Sequence, residues 1–293
     1  MQTECETYST TNNAAVRFPG LDAMRTSMKY KPSRNSILII ALFEFKESVR
    51  NRWLLLYGAA FFLFGNLILY LSGENPIRSA SSLLSLMLLL GPLFSLMFGS
   101  ISFTDSLGFV ELLAAQPIRR SDIYIGKWIG LSSGLSLSFC IGMGTGVLLR
   151  QGLDSSFFLL LIPGVLLTFC SVAIAFLAAN LSRRREIVFG MVLSIWFYLF
   201  ILHDLLIFGI VTVLGNYPLK VPLMVMVSLN PIDLIRVMVA LRLDMSAMMG
   251  YSAALFLDFF GGWTGLLVGA ILMSLWIGIP VLLGLHLFRK RNL

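Results

Sequence analysis

Few residues of this chain have side chains that could support chemistry, and two of them lie together inside an apolar segment. His203 and Asp204 are adjacent in a long run that is otherwise uncharged. A carboxylate in lipid is costly unless it is paired, so Asp204 requires an explanation. One interpretation is a structural bracket to another segment, with Arg236 or Lys220 as the partner of Asp204. The other is a proton relay, and an intramembrane enzyme centred on this pair would lack a visible nucleophile.

A second polar motif follows about 25 residues later, where the chain reads NPIDLIR over residues 230–236. Pro231 suits the first turn of a helix, because that turn does not need its N–H. Asp233 then falls in the same turn, where the helix dipole favours an anion. We therefore predict a helix that begins at Pro231. Asn230, Pro231, Asp233 and Arg236 are candidates for a gate or for a partner-docking surface.

Motifs for nucleotide, zinc or hydrolase chemistry are missing from this chain. The glycine-rich stretch 142–146 lacks the lysine of a phosphate-binding loop. With only two histidines, there is little basis for a histidine-based zinc site, and the three cysteines have no metal-ligand spacing. We therefore predict no catalytic site, no bound cofactor and no metal. Methionine thioethers could hold Cu(I), but methionine is also common filler in apolar helices. The residues concerned are Met224, Met226, Met245, Met248 and Met249.

The composition places the chain among membrane proteins. Hydrophobic residues make up 57% and charged residues 13% of the sequence, whereas soluble domains carry about 25% charged residues. The mean hydropathy is +0.86, which is typical of a polytopic membrane protein. The net charge of +7 does not indicate nucleic-acid binding, because the basic residues lie beside apolar runs, as membrane-anchoring charges do.

Six uncharged runs are long enough to span a bilayer, the fifth only if Asp204 is tolerated near its end. They cover residues 53–73, 79–104, 128–149, 155–182, 187–219 and 259–285. If the N-terminus is inside, 17 of the 22 Lys and Arg residues lie on the inner side. The positive-inside rule then predicts that both termini are cytoplasmic.

The flanking segments have their own patterns. Residues 1–32 are polar and are predicted to be a disordered cytoplasmic tail. Residues 33–52 alternate at helical spacing and predict an amphipathic elbow helix, with Glu44 and Arg50 on its polar face and Arg52 at its end. Residues 53–293 would form the six-span domain. Between spans five and six, residues 214–264 are too apolar for a free loop, so we expect re-entrant or interfacial helices there.

Span three carries a stripe of small residues. Gly126, Gly130, Gly134, Ser138, Gly142 and Gly146 recur at every fourth position. Small residues at this spacing allow two helices to approach closely in lipid. The contact could be packing within the chain or a seam between two copies, and the sequence leaves both open.

The segment between spans two and three reads GFVELLAAQPIRRSDIYIGK over residues 108–127. With the 230–236 motif, the HDLL run at 203–206 and the Glu44…Arg50-x-Arg52 pattern, it is similar to ABC-2 type permeases, and in particular to their NosY branch. The similarity covers about residues 35–293. It implies an all-α fold of six spans in the bacterial cytoplasmic membrane, with an elbow helix and a cytoplasmic coupling helix between spans two and three.

The resemblance also implies partners and a function. We expect a homodimer that binds two copies of a NosF-like ATPase, which would hold ATP and Mg²⁺, and a NosD-like periplasmic protein. That system matures the copper sites of nitrous oxide reductase, so copper would be handled by the wider system. An ABC-2 exporter of a lipid, drug or peptide is the alternative. The residues expected to contact the ATPase are Glu111, Leu112, Leu113, Gln116, Pro117, Arg119 and Arg120.

Overall fold

The computed structural model describes residues 36–72, 76–106, 118–150, 155–182, 184–214, 220–242 and 263–290. Several predictions fall outside these residues and stay predictions. They concern the tail at 1–32, the coupling residues Glu111, Leu112, Leu113, Gln116 and Pro117, and the methionines Met245, Met248 and Met249.

The described part of the chain is helical, with ten α-helices and one π-helical turn. The helices are α1 Ser36–Val49, α2 Arg52–Ser72, α3 Pro76–Asp105, α4 Arg120–Arg150, α5 Ser155–Leu181, α6 Arg185–Phe197, α7 His203–Leu214, α8 Lys220–Ser228, α9 Pro231–Arg242 and α10 Trp263–Lys290. The π turn, Tyr198–Leu202, joins α6 to α7 without a break.

Six helical elements are long and apolar enough to cross a membrane, which confirms the predicted number of spans. They are α2, α3, α4, α5, the continuous α6–π–α7 element and α10. The chain is therefore a multi-pass membrane protein. The largest difference in bounds is at α4, which begins at Arg120 rather than near residue 128. The predicted run excluded Lys127 because it is charged, yet Lys127 is buried within the helix and paired with Glu44.

The core of the bundle surrounds α5, which packs against α3, α4 and α10. At one end of the bundle Phe103, Tyr124, Phe176 and Phe288 form a cluster of fully buried rings, with centroid distances from 4.7 to 6.1 Å. We call this end the elbow end, because α1 lies here beside the start of α4. The opposite end is called the far end.

The small residues of α4 form a track on which both α1 and α2 lie. A Cβ added at Gly130 would come within 2.5 Å of the Ala41 carbonyl oxygen of α1. One added at Gly142 would collide with the Gly58 carbonyl of α2. Between them, the Ser138 hydroxyl donates a hydrogen bond of 2.8 Å to the Leu54 carbonyl. The sequence left open whether the stripe packs within the chain or between two copies, and in the structure it packs against α1 and α2 of the same chain.

The segment between spans five and six contains a sharply bent helix pair. α8 and α9 meet at an angle of 113°, with the break at residues 229–230. α9 packs against α5 and α10, and the Trp276 indole of α10 donates a 3.0 Å hydrogen bond to the Ser228 carbonyl at the end of α8. This geometry is that of a broken or re-entrant element, so we call α8 and α9 the re-entrant pair.

Candidate functional site

The main polar cluster of the far end lies where span five meets the re-entrant pair. We call it the far-end junction and define it as His203 and Asp204 of α7 with Asn230, Asp233 and Arg236 of the α9 region. His203, Asn230 and Asp233 are buried, with 2%, 0% and 3% of their surface exposed. Buried polar side chains require partners, and each of these three has them.

Asn230 is the N-cap of α9 and also its link to span five. Its side-chain oxygen accepts a 2.9 Å hydrogen bond from the Ile232 N–H, as an N-cap asparagine does. Its Nδ2 donates to the Leu199 carbonyl at 2.7 Å and to Asp233 Oδ2 at 2.8 Å. Leu199 lies in the π turn, where the regular i→i+4 ladder is interrupted, so a carbonyl there can take an outside donor.

His203 follows the π turn directly and makes the second link. Its Nδ1 lies 2.6 Å from Asp233 Oδ2, and both side chains are almost inaccessible. An ionised Asp233 accepts from an Nδ1–H whether the imidazole is neutral or protonated. Asp233 is in the first turn of α9, where the helix dipole also favours a carboxylate. The first turn of α9 is thus fixed against the start of α7.

Arg236 closes the junction on its more accessible side. Its Nη1 donates to both carboxylate oxygens of Asp204 at 2.8 Å and lies 3.0 Å from Asp233 Oδ1. The sequence offered two partners for Asp204, Arg236 and Lys220, and the structure has Arg236. The Arg236 and Asp204 side chains are 28% and 42% exposed, so this part of the junction is open to whatever covers the far end.

The junction contains histidine and aspartate side chains that could bind a metal ion, but the positive group that contacts its carboxylates is the Arg236 guanidinium. Ligand atoms of His203, Asp204 and Asp233 all lie within 4.8 Å of one another. The Arg236 guanidinium contacts both carboxylates, so an ion would have to displace it. The arrangement suits a structural ion-pair network, and no serine, threonine or cysteine is hydrogen-bonded to His203 among the described residues.

Glu44 of the elbow helix has a different position from the one predicted. The amphipathic pattern placed it on the polar face, but its side chain is 9% exposed and points towards α4. There its Oε1 lies 2.6 Å from Lys127 Nζ, whose side chain is 6% exposed. The prediction was wrong because helical periodicity cannot reveal a partner 83 residues away. Gly130 leaves the space that lets Glu44 approach α4.

The other elbow-end candidates lie at helix ends. Arg50 occupies the turn after α1 and is exposed, and Arg52 is the first residue of α2 rather than part of the elbow helix. Arg119 precedes α4 and is exposed, whereas Arg120 donates to the Arg289 carbonyl of α10 at 3.3 Å. Arg119 is thus the more accessible of the two predicted coupling arginines.

Sequence reasoning missed Lys127 and the Leu199 carbonyl. Lys127 was counted as an anchoring charge, although a lysine inside an apolar helix with a glutamate on the preceding amphipathic helix is a signal for a buried pair. No sequence signal indicates that the Leu199 carbonyl accepts a hydrogen bond, because its donor, Asn230, lies 31 residues further along the chain.

Comparison with known proteins identifies the family. Residues 38–293 match the family described as ABC-2 family transporter protein. The chain is 27% identical over 280 residues to the probable ABC transporter permease protein NosY of Stutzerimonas stutzeri, covering 88% of this chain and 99% of that protein. It is 26% identical over 276 residues to the protein of the same name from Pseudomonas aeruginosa, covering 86% and 97%. The chain therefore belongs to the ABC-2 transporter family, as an ABC transporter permease subunit that resembles NosY.

Proposed function

We propose that this chain is a permease subunit without a catalytic site of its own, through which a NosF-like ATPase acts on a NosD-like periplasmic protein. The process served would be copper-centre assembly of nitrous oxide reductase. The family match and the similarity to NosY support the class of the complex. The observation that carries the mechanical part is the continuous α6–π–α7 element, because it is tied to other helices at two points that lie 18 residues apart.

At the elbow end, Arg185 of α6 pairs with Asp105 of α3 at 2.5 Å. Further along the same element, His203 and Asp204 at the start of α7 are tied to α9 through Asp233 and Arg236. The 18 residues from Arg185 to His203 correspond to about 27 Å at 1.5 Å per residue. A displacement applied near Arg185 would therefore reach the re-entrant pair through one stiff element.

The distribution of Lys and Arg supports an orientation in the bacterial cytoplasmic membrane. The elbow end would face the cytosol with both termini, and the far-end junction would face the periplasm. ATP and Mg²⁺ would belong to the ATPase, which would contact the coupling segment and the exposed Arg119. Copper would be handled by the partners of this chain.

Two copies of the chain would form the complex. In α2, α6–π–α7 and α10, only 28%, 17% and 22% of the most apolar stretch is buried within one chain. Asp204 of span five and Arg236 of α9 are also partly exposed, and lipid contact would be unfavourable for these charged groups. A second copy related by two-fold symmetry, which is the commonest arrangement, would cover part of this surface.

The orientation can be tested with a single cysteine. Ser121→Cys, in a background in which Cys5, Cys140 and Cys170 are each replaced by serine or alanine, would be treated with an impermeant thiol reagent in sealed vesicles of known sidedness. Cytosolic labelling is expected, because Ser121 lies in the first turn of α4 at the elbow end. Labelling from the periplasmic side would reverse the whole orientation and refute the proposed coupling.

The coupling is tested with the chain purified together with its co-encoded ATPase and reconstituted in liposomes. The double variant Glu111→Ala/Arg119→Ala should reduce both ATPase retention and ATP turnover. Arg184→Ala is the matched control, because Arg184 is an exposed arginine at the same end. Arg236→Gln should leave ATPase binding intact and weaken capture of the periplasmic protein.

Two results would contradict the proposal. Unchanged ATPase retention in the Glu111→Ala/Arg119→Ala variant would remove the coupling role from this segment. ATP-driven movement of a labelled lipid or peptide, in the absence of any periplasmic protein, would instead identify the complex as an ABC-2 exporter.

A further inference from the structure

A cavity of about 640 Å³ opens at the elbow end, beside the elbow helix and the ends of α3 and α6. Its size is within the range of about 300–1,000 Å³ that is typical of small-molecule sites. Its lining combines charged and apolar side chains, and none of it belongs to the far-end junction.

The charged lining has both signs, with carboxylates in excess. Glu44, Glu47 and Asp105 provide three carboxylates, and Lys127 and Arg185 provide two cations. Lys127 Nζ is bonded only to Glu44 among the described residues, so two of its three ammonium protons remain for another acceptor. Glu47 is exposed and has no ion pair with any described residue.

The apolar lining lies where a membrane protein meets the headgroup region. Phe43 and Trp53 are 55% and 57% exposed, and the buried Phe98 completes this side. Tryptophan is enriched at the membrane–water interface. Two charged residues of the lining also lie at the ends of spans, because Asp105 is the last residue of α3 and Arg185 is the first residue of α6.

We infer that this cavity binds the headgroup of a phospholipid that carries both a phosphate and a primary ammonium group, as phosphatidylethanolamine does. The phosphate would accept hydrogen bonds from Lys127 and Arg185, and the ammonium would donate to Glu47 and Asp105. The glycerol and the first acyl carbons would lie against Phe43 and Trp53. Charge-assisted hydrogen bonds of this kind are stronger than neutral ones.

Charge complementarity selects this lipid over the two common alternatives. An anionic lipid such as phosphatidylglycerol would bring a phosphate to a site with three carboxylates and two cations, and it offers no cation for Glu47. A choline headgroup has a quaternary ammonium, which has no N–H to donate to a carboxylate. Only the ethanolamine headgroup matches both signs with hydrogen-bond donors.

Native mass spectrometry of the full-length chain tests this inference. The protein is taken from nanodiscs that contain equal amounts of phosphatidylethanolamine, phosphatidylcholine and phosphatidylglycerol, and the lipids retained are counted. Wild type should retain phosphatidylethanolamine in preference to the other two. Glu47→Lys should reduce that retention about fivefold, which corresponds to an exposed ion pair near the top of its usual range. Glu186→Lys, an exposed glutamate in the first turn of α6 that does not line the cavity, should leave it unchanged.

A second variant separates the two halves of the headgroup. Arg185→Gln should weaken retention of all three lipids, since each carries the phosphate, whereas Glu47→Lys should reduce retention of phosphatidylethanolamine alone. Equal retention of all three lipids by wild type, or equal effects of Glu47→Lys and Glu186→Lys, would overturn the inference. So would displacement of the lipid by the co-encoded ATPase, because the cavity would then be a protein contact.

Discussion

Removing one partner of the Glu44–Lys127 pair should destabilise the protein far more than removing one partner of the Arg185–Asp105 pair. Both pairs lie at the elbow end, with nitrogen–oxygen distances of 2.6 and 2.5 Å. They differ in burial, because the side chains are 6% and 9% exposed in the first pair and 56% and 48% exposed in the second. The comparison therefore isolates the effect of desolvation on an ion pair of fixed length.

The magnitudes follow from that difference. Breaking a buried pair leaves an uncompensated charge and costs about 3–5 kcal/mol, whereas an exposed pair is worth about 0.2–1 kcal/mol. The cavity beside Glu44 and Lys127 gives the orphaned group some access to water, so we expect the low end, about 3 kcal/mol, for Glu44→Leu or Lys127→Met. The double variant Glu44→Leu/Lys127→Met should lie within about 1 kcal/mol of wild type, because no charge is then left buried.

The assay is unfolding of the full-length protein in mixed micelles by titration with SDS, with the free energy of unfolding compared among variants. Independent contributions would make the double variant about 6 kcal/mol less stable, so the cycle separates the two cases widely. Arg185→Met and Asp105→Leu serve as the exposed controls. A loss for Lys127→Met no larger than that for Arg185→Met would refute the reasoning from burial.

Three further outcomes are expected in the same unfolding assay. Gly142→Ala should destabilise the protein by about 1–3 kcal/mol, because its Cβ would collide with the α2 backbone. Gly190→Ala, with open space around it, should be neutral or slightly stabilising. Equal effects of the two substitutions would contradict close packing of α2 on the small residues of α4. Asn230→Ala should lower the free energy of unfolding by about 2–3 kcal/mol, because it removes the N-cap of α9 and the donor to the Leu199 carbonyl. A loss below about 0.5 kcal/mol would show that the cap is dispensable. Trp276→Phe should cost about 1 kcal/mol by leaving the Ser228 carbonyl without its indole donor, and an unchanged stability would argue against this contact.

The spans could be predicted from the sequence because lipid imposes a simple rule on them. About 20 uncharged residues are needed to cross the hydrocarbon, and each run met that length. Helices between spans five and six followed from the same rule, since a segment as apolar as 214–264 is unfavourable as a free loop, but the rule left open whether they would be re-entrant or interfacial. The start of α9 at Pro231 also followed, because proline suits the first turn of a helix, whereas the sequence left Arg236 and Lys220 open as partners of Asp204.

The remaining features depend on partners distant in sequence. The burial of Glu44 requires both Lys127 and the space at Gly130, and a helical wheel of α1 contains neither. The hydrogen bond that the π turn accepts at the Leu199 carbonyl comes from Asn230, which lies 31 residues further along the chain. The stripe of small residues in α4 predicted a close contact with another helix. It could not identify that helix, since any apolar helix surface can pack on such a stripe.

The glycine track brings α1 and α2 close to α4 but does not leave them free to slide. A shift of either helix along α4 would have to break the buried Glu44–Lys127 pair or separate the Phe61 and Phe139 rings, whose centroids are 4.9 Å apart. Around α5, the interlocked rings of Phe103, Tyr124, Phe176 and Phe288 would have to separate before any such shift. The elbow helix and the first span are thus held to the packed interior as firmly as α5 is, so we expect the described bundle to tilt as one body rather than to shear along the glycine track.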